Sequence, residues 1–154
     1  MGHSTSSAES GTLSQDILGV WWPVSREDWT EAGEQRLDPI LGANPIGILT
    51  YAPKHFAAQF MRRDRVSDAE ACASPSGANN TSAVNGYDAY FGTYEVVDSG
   101  TVLHTLVGSI APGNIGLSVS RDLQVMGNEL TIRLKTTSSD GEAVTRVLVW
   151  QRIG

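Results

Sequence analysis

From residue 87 to residue 153 the chain is cut into strand-length segments by turn signals at short, regular intervals. Residues 87–97 end at Asp98-Ser99-Gly100. Residues 101–109 end at Ala111-Pro112-Gly113-Asn114. Residues 117–125 end at Met126-Gly127-Asn128, and residues 129–136 at Ser138-Ser139-Asp140-Gly141, before a last segment at 144–153. Short segments rich in β-branched and aromatic residues between Gly/Asn/Asp turns are the pattern of an all-β sandwich or barrel. The first half adds three more: residues 20–29 with Trp21, Trp22 and Trp29, residues 45–51, and residues 55–62 after the Ala52-Pro53-Lys54 turn. Eight strands joined one after another favour an antiparallel up-and-down β-barrel, which leaves no exposed sheet edge.

Two stretches depart from this pattern. Ser14-Gln15-Asp16-Ile17-Leu18 has the form of one helical turn with Ser14 as N-cap, stopped by Gly19. Residues 66–85 carry capping-box spacing in Ser67-Asp68-Ala69-Glu70, then Ala-rich residues up to Pro75 and Gly77. This predicts a short helix and a loop serving as a cap or lid, either moving or a fixed plug. Residues 1–13 read as a disordered tail and 14–154 as one domain, a size able to bury a core.

Composition narrows the partners. A net charge of −6, with Arg62-Arg63-Asp64-Arg65 as the densest basic stretch, argues against nucleic acid. No apolar run approaches the roughly eighteen residues of a membrane span. Cys72 is the single cysteine, so no internal disulfide or thiolate zinc cluster can form, and a reducing, cytoplasmic location is expected. The Ser/Gly-rich start has no apolar signal core. His3, His55 and His104 are too dispersed for a metal site, and no phosphate loop or nucleophile elbow appears. No cofactor is expected; whether the chain dimerises stays open.

Alternation with period two assigns the inner faces. In residues 117–125, Leu117, Val119, Arg121, Leu123 and Val125 share the apolar side, which puts a guanidinium inside the barrel. A buried arginine is costly unless paired. Arg121 therefore either meets an anionic or carbonyl group of a ligand, or closes the barrel against a tryptophan or carboxylate. In residues 101–109, Val102, His104, Leu106 and Gly108 form one face; if it points inward, His104 lines the interior. Residues 129–136 put Leu130, Ile132 and Leu134 inside. In residues 55–62 either face fits, and one of them would bring Gln59 and Met61 into the cavity. Trp150 is expected in the core. Tyr51, Tyr90 and Tyr94 offer hydroxyls to a ligand or serve simply as wall. Trp22, Asn114 and Leu117 complete the expected ligand-binding set, with His104, Arg121 and Tyr90 as catalytic candidates.

Several stretches, taken in order, resemble the bacterial and fungal lipocalin-like domain proteins. They are Gly19-Val20-Trp21, Gly47-Ile48-Leu49-Thr50-Tyr51, Met61-Arg62-Arg63-Asp64-Arg65 and Ala89-Tyr90-Phe91-Gly92-Thr93-Tyr94. Thr101-Val102-Leu103-His104, Asn114-Ile115-Gly116, Arg121 and Leu148-Val149-Trp150-Gln151-Arg152 follow. The resemblance runs from Leu18 to Ile153. It implies a calycin-type barrel whose cavity takes a small, mostly apolar molecule. It also implies a tryptophan near the closed end packed on a late arginine, for which Arg152 and Arg121 are the candidates. Small barrels of this shape include cyclases and isomerases of natural-product pathways, an analogy of fold that does not fix function. The chain departs from the family pattern at Trp22, where a basic residue is common, and at Thr105, where a second histidine is frequent. Ile115 replaces a usual tryptophan and Leu117 a polar residue. The changes imply a more apolar pocket and put in doubt any activity that needs a histidine pair. Two functions follow as expectations: a cofactor-independent isomerase or cyclase acting on a polyketide- or terpenoid-like substrate, and a carrier that binds an apolar ligand without changing it.

Overall fold

A computed structural model describes residues 12–65, 85–138 and 141–154. Nine strands follow a short helix, α1 (residues 12–16). They are β1 (Gly19–Thr30), β2 (Gln35–Arg36), β3 (Ile46–Ala52), β4 (His55–Met61), β5 (Tyr87–Val96), β6 (Thr101–Ser109), β7 (Ser118–Met126), β8 (Glu129–Thr137) and β9 (Ala143–Arg152). The strands pair antiparallel in chain order from β3 to β9, and β1 bonds to both β3 and β9. This closes an eight-stranded antiparallel up-and-down barrel, with β2 a two-residue addition against the end of β1. The expected helix and loop at 66–85 lie, apart from residue 85, outside the described residues. Among those described, no helix is long and apolar enough to cross a membrane.

The core follows the alternation of the strands. Leu49 and Tyr51 of β3, Phe56, Ala58 and Phe60 of β4, Val102 and Leu106 of β6, Leu123 of β7, Leu130 and Ile132 of β8, and Leu148 and Trp150 of β9 are all buried. Each large apolar side chain removed from water contributes roughly 1.5–3 kcal/mol, so these inward rows are what hold the sheet closed. Helix α1 seals one end. Its Leu13 and the Ile17 that follows it are buried in the same cluster, and helical structure begins at residue 12, before Ser14 and inside the stretch that sequence alone assigns to the tail.

The sealed end shows why a Gly-x-Trp start suits this fold. Gly19 sits at φ 130°, a conformation L side chains rarely adopt, and a Cβ there would strike the carbonyl of Gly154. The chain can therefore turn sharply from α1 into β1 and drop Trp21 into the barrel. Trp21 is fully buried, its Nε1 donates to the Ile17 carbonyl at 2.9 Å, and the Arg152 guanidinium lies 4.3 Å over its ring. Arg152 also donates to the carbonyls of Leu18 and Asp16, both at 2.6 Å. The end of α1 thus has its free carbonyls capped by a cation. Arg152, and not Arg121, is the arginine that closes the barrel.

Two bulges shift the alternation. In β1 the register with β9 slips between Pro23 and Ser25. Proline cannot donate to the ladder, and the extra residue Val24 is left exposed. The inward row therefore passes from Trp21 and Pro23 to Arg26, Asp28 and Thr30. Between β5 and β6 the register slips at Phe91/Gly92, which makes Val107 the extra residue. A Cβ on Gly92 would strike the Thr105 carbonyl, so glycine is what allows β6 to press in here. Beyond this bulge Gly108 pairs with the outward Phe91 and leaves the inner face that simple alternation assigns to it.

Candidate functional site

The interior keeps a cavity of about 370 Å³, within the usual range for a small-molecule site. Its apolar wall is built by Leu49, Phe56, Phe60, Ile132, Leu148 and Trp150. Its polar wall is built by Arg26, Tyr51, Asp88, Tyr90, His104, Arg121 and Arg146. Asn114 and Leu117, in and after the 3-10 turn Pro112–Asn114, line it near Lys135 and Thr136 at the end of β8.

Two ion pairs stabilise the wall. Arg146 makes a two-pronged contact with Asp28, Nε to Oδ1 at 2.7 Å and Nη2 to Oδ2 at 2.9 Å, both side chains buried. Arg26 donates through Nη1 to Asp38 Oδ2 at 2.9 Å, again with both side chains buried. The other oxygen of Asp38 accepts from the backbone N–H groups of Ile40 and Leu41 at 2.8 and 3.0 Å. These hydrogen bonds and the Arg26 charge outweigh desolvation and hold Asp38 below the usual carboxylate range. The loop between β2 and β3 is thereby drawn inward, with Leu41 fully buried. Arg26 is also close to the Phe60 ring, 5.5 Å from its centre, while its Nε has no partner among the described residues.

Arg121 differs from the other arginines of the interior. It forms one hydrogen bond among the described residues, to the carbonyl of its neighbour Ser120 at 3.0 Å, and no ion pair. Burial lowers its pKa, while the hydroxyls of Tyr90 and Tyr51 act to raise it. A guanidinium with five N–H donors thus faces the cavity with most of them unengaged. His104 stands in the same cavity. Its Nε2 is 2.6 Å from the Tyr51 hydroxyl and its ring lies 4.2 Å from that of Phe56. Burial first, and then the Arg121 charge, push its pKa down to about 3, so the imidazole is neutral at physiological pH. Burial raises the pKa of Tyr51 well above its ordinary value. The pair is a neutral hydrogen bond between two uncharged rings.

Asp88 points inward from β5 between Phe60, its partner on β4, and Tyr90. It is 4% exposed. One oxygen is stabilised by the Ala89 N–H; Oδ1 has no partner among the described residues. Burial raises its pKa to about 7, against the lowering effect of Arg26 and Arg146.

The structure brings together His104, Arg121, Tyr90, Tyr51, Asn114, Leu117 and Trp150 around one cavity. It separates the others. Gln59 and Met61 lie on the outer face of β4, because the large rings Phe56 and Phe60 take the inner one; Gln59 Oε1 accepts from the Tyr87 hydroxyl outside the barrel. Trp22 alternates with the buried Trp21 and is 44% exposed on the outside. Tyr94 shares the inner face with His104 but does not line the cavity; it lies edge-on to Tyr51, with its hydroxyl donating to the Ala52 carbonyl at 2.9 Å. Sequence reasoning missed Arg26, Asp88 and Arg146. Asp88 was within reach, two residues before Tyr90, and Arg146 two before Leu148. Arg26 was hidden by the bulge at Val24. Among the described residues, no group of three or more His, Cys, Asp or Glu side chains could hold a metal ion.

A closed barrel with a Gly-x-Trp start, an arginine over that tryptophan and a small-molecule cavity defines a lipocalin-like protein. The family model for the lipocalin-like domain matches residues 18–153, and the chain belongs to that family. A search among curated proteins finds no significant match.

Proposed function

We propose that the barrel is a cofactor-independent isomerase or cyclase acting on a hydrophobic, polyketide- or terpenoid-like molecule held in the cavity. The observation that carries this reading is that Arg121 shares the cavity with His104, while the structural duty at the closed end belongs to Arg152. The apolar wall of Phe60, Leu148 and Trp150 would fold a flexible chain into a reactive shape. Arg121, with Tyr90 beside it, would stabilise negative charge growing on a carbonyl oxygen, in a partly buried setting that strengthens the interaction. His104 and Tyr51, a neutral pair, would fix the substrate by hydrogen bonding.

A second reading, a carrier of an apolar ligand without turnover, is favoured by the neutrality of His104 and its hydrogen bond to Tyr51. Mass spectrometry of small molecules released from the purified, denatured protein separates the two. A released compound that the protein converts, with conversion lost in folded Arg121→Ala and His104→Ala variants, supports the enzyme. A compound that is bound and released unchanged supports the carrier. Wild-type turnover in both variants would remove these residues from the chemistry.

A further inference from the structure

Among the described residues that line the cavity, one carboxyl takes part in neither ion pair, that of Asp88. Its Oδ1 is buried with no partner among the described residues. Leaving a buried acceptor unsatisfied costs roughly 1–3 kcal/mol, so a structural role for Asp88 would require a partner that the described residues do not supply. Among the described residues, the charged and titratable groups that act on it come from several elements. Arg26 faces it from β1 and Arg146 from β9, each already bound to another aspartate. Asp38 faces it from the loop before β3, and Tyr90 from its own strand. Arg121 reaches the same cavity from β7 and also acts on Tyr90.

We propose that Asp88 is the proton-transfer group of this cavity, taking a proton from carbon while Arg121 stabilises the oxyanion that forms. This rests on reading the cavity as a catalytic site, and it assigns the base, which His104 cannot readily be. A carboxylate with a pKa of about 7 is matched to proton abstraction near neutrality, whereas an imidazole with a pKa of about 3 is a weak base. The substrate class is then an apolar molecule with an acidic C–H next to a group that can accept the electron pair on oxygen.

The reaction can be tested without the natural substrate, using the ring-opening of 5-nitro-1,2-benzisoxazole. Asp88 takes the ring C–H proton, the C–H electron pair becomes the new nitrile π bond, and the N–O bond breaks to leave a phenolate. The proton later passes to water, and no other reactant is needed. The wild-type protein is expected to accelerate this above buffer, with a rate that rises with pH through about 7 as Asp88 ionises. Asp88→Asn should lose on the order of a hundredfold, and Asp88→Glu, which keeps the carboxylate, should recover part of it. His55→Gln, on the outer face, should have no effect. Thermal unfolding of each variant checks that it is folded, and binding of neutral N-phenyl-1-naphthylamine checks that the cavity is open to a ligand. Full activity in Asp88→Asn overturns the proposal. So does an inactive wild type that binds the naphthylamine, and the cavity then remains as a binding site. An inactive wild type that does not bind it overturns the cavity reading as well.

Discussion

Arg152 and Arg121 are two arginines inside one barrel, and they are used in opposite ways. At the sealed end, Arg152 has its donors on two helix carbonyls and its face on Trp21. In the cavity, Arg121 has, among the described residues, one hydrogen bond, to its own neighbour, and no carboxylate. Both are arginines of late strands on an apolar face, Arg121 within β7 and Arg152 at the end of β9, so residue type and hydrophobic pattern do not separate them. What separates them is whether their hydrogen-bonding capacity is already filled by the fold. A filled guanidinium holds structure; an unfilled one is available to a ligand.

Removing the partner of a filled arginine should have the largest effect on stability. Asp28→Ala leaves Arg146 charged, buried and alone, and is expected to destabilise the protein by about 3–5 kcal/mol, measured by denaturant unfolding. The double change Asp28→Leu with Arg146→Met should recover most of that loss. Next in size, Arg152→Met removes two charge-assisted hydrogen bonds and the ring contact, and should cost about 2–4 kcal/mol. Arg121→Met removes a partly buried charge that has no ion pair among the described residues, and should leave stability unchanged or slightly raised. If Arg121→Met instead unfolds the barrel as readily as Arg152→Met, the distinction between the two arginines fails.

The pH dependence of folding sharpens the same contrast. His104 has a folded pKa near 3, below the unfolded value of 6.5. Between those values the unfolded chain binds the extra proton, so stability falls as pH drops from about 6.5 toward 3. Asp88 runs the other way. Its folded pKa of about 7 lies above the ordinary 3.8, so the folded state binds the extra proton and stability declines as pH rises from about 4 to 7. The two slopes oppose each other in the wild type. His104→Gln should expose the decline with rising pH, and Asp88→Asn the loss on acidification, in unfolding midpoints taken across pH 4–8.

Much of this was legible in the sequence, and the exceptions have physical causes. The eight barrel strands were placed to within a residue or two, because turn residues punctuate them and hydrophobic alternation marks their inner rows. The inner row of β7, with Arg121 between Val119 and Leu123, was readable for the same reason. In β4, alternation offered two faces with apolar residues, and only packing decides that Phe56 and Phe60 exclude Gln59 and Met61 from the interior. In β1 the bulge at Val24 reverses the alternation, so the pattern set by Trp21 points away from Arg26 and Asp28. The role of Arg152 depends on a helix end brought to it from the other terminus of the chain, a long-range contact that no local pattern carries.

The most direct test is a fluorescence titration of the wild type, Arg121→Met and Arg152→Met with 1-anilinonaphthalene-8-sulfonate, an apolar molecule bearing one anionic group. If Arg121 is the cavity's available cation, Arg121→Met should bind at least about tenfold more weakly while remaining folded, since a lost charge-assisted hydrogen bond costs on the order of 1.5–3 kcal/mol. Folded Arg152→Met should bind as the wild type does. Equal affinity in the wild type and Arg121→Met, or a loss confined to Arg152→Met, would contradict the account.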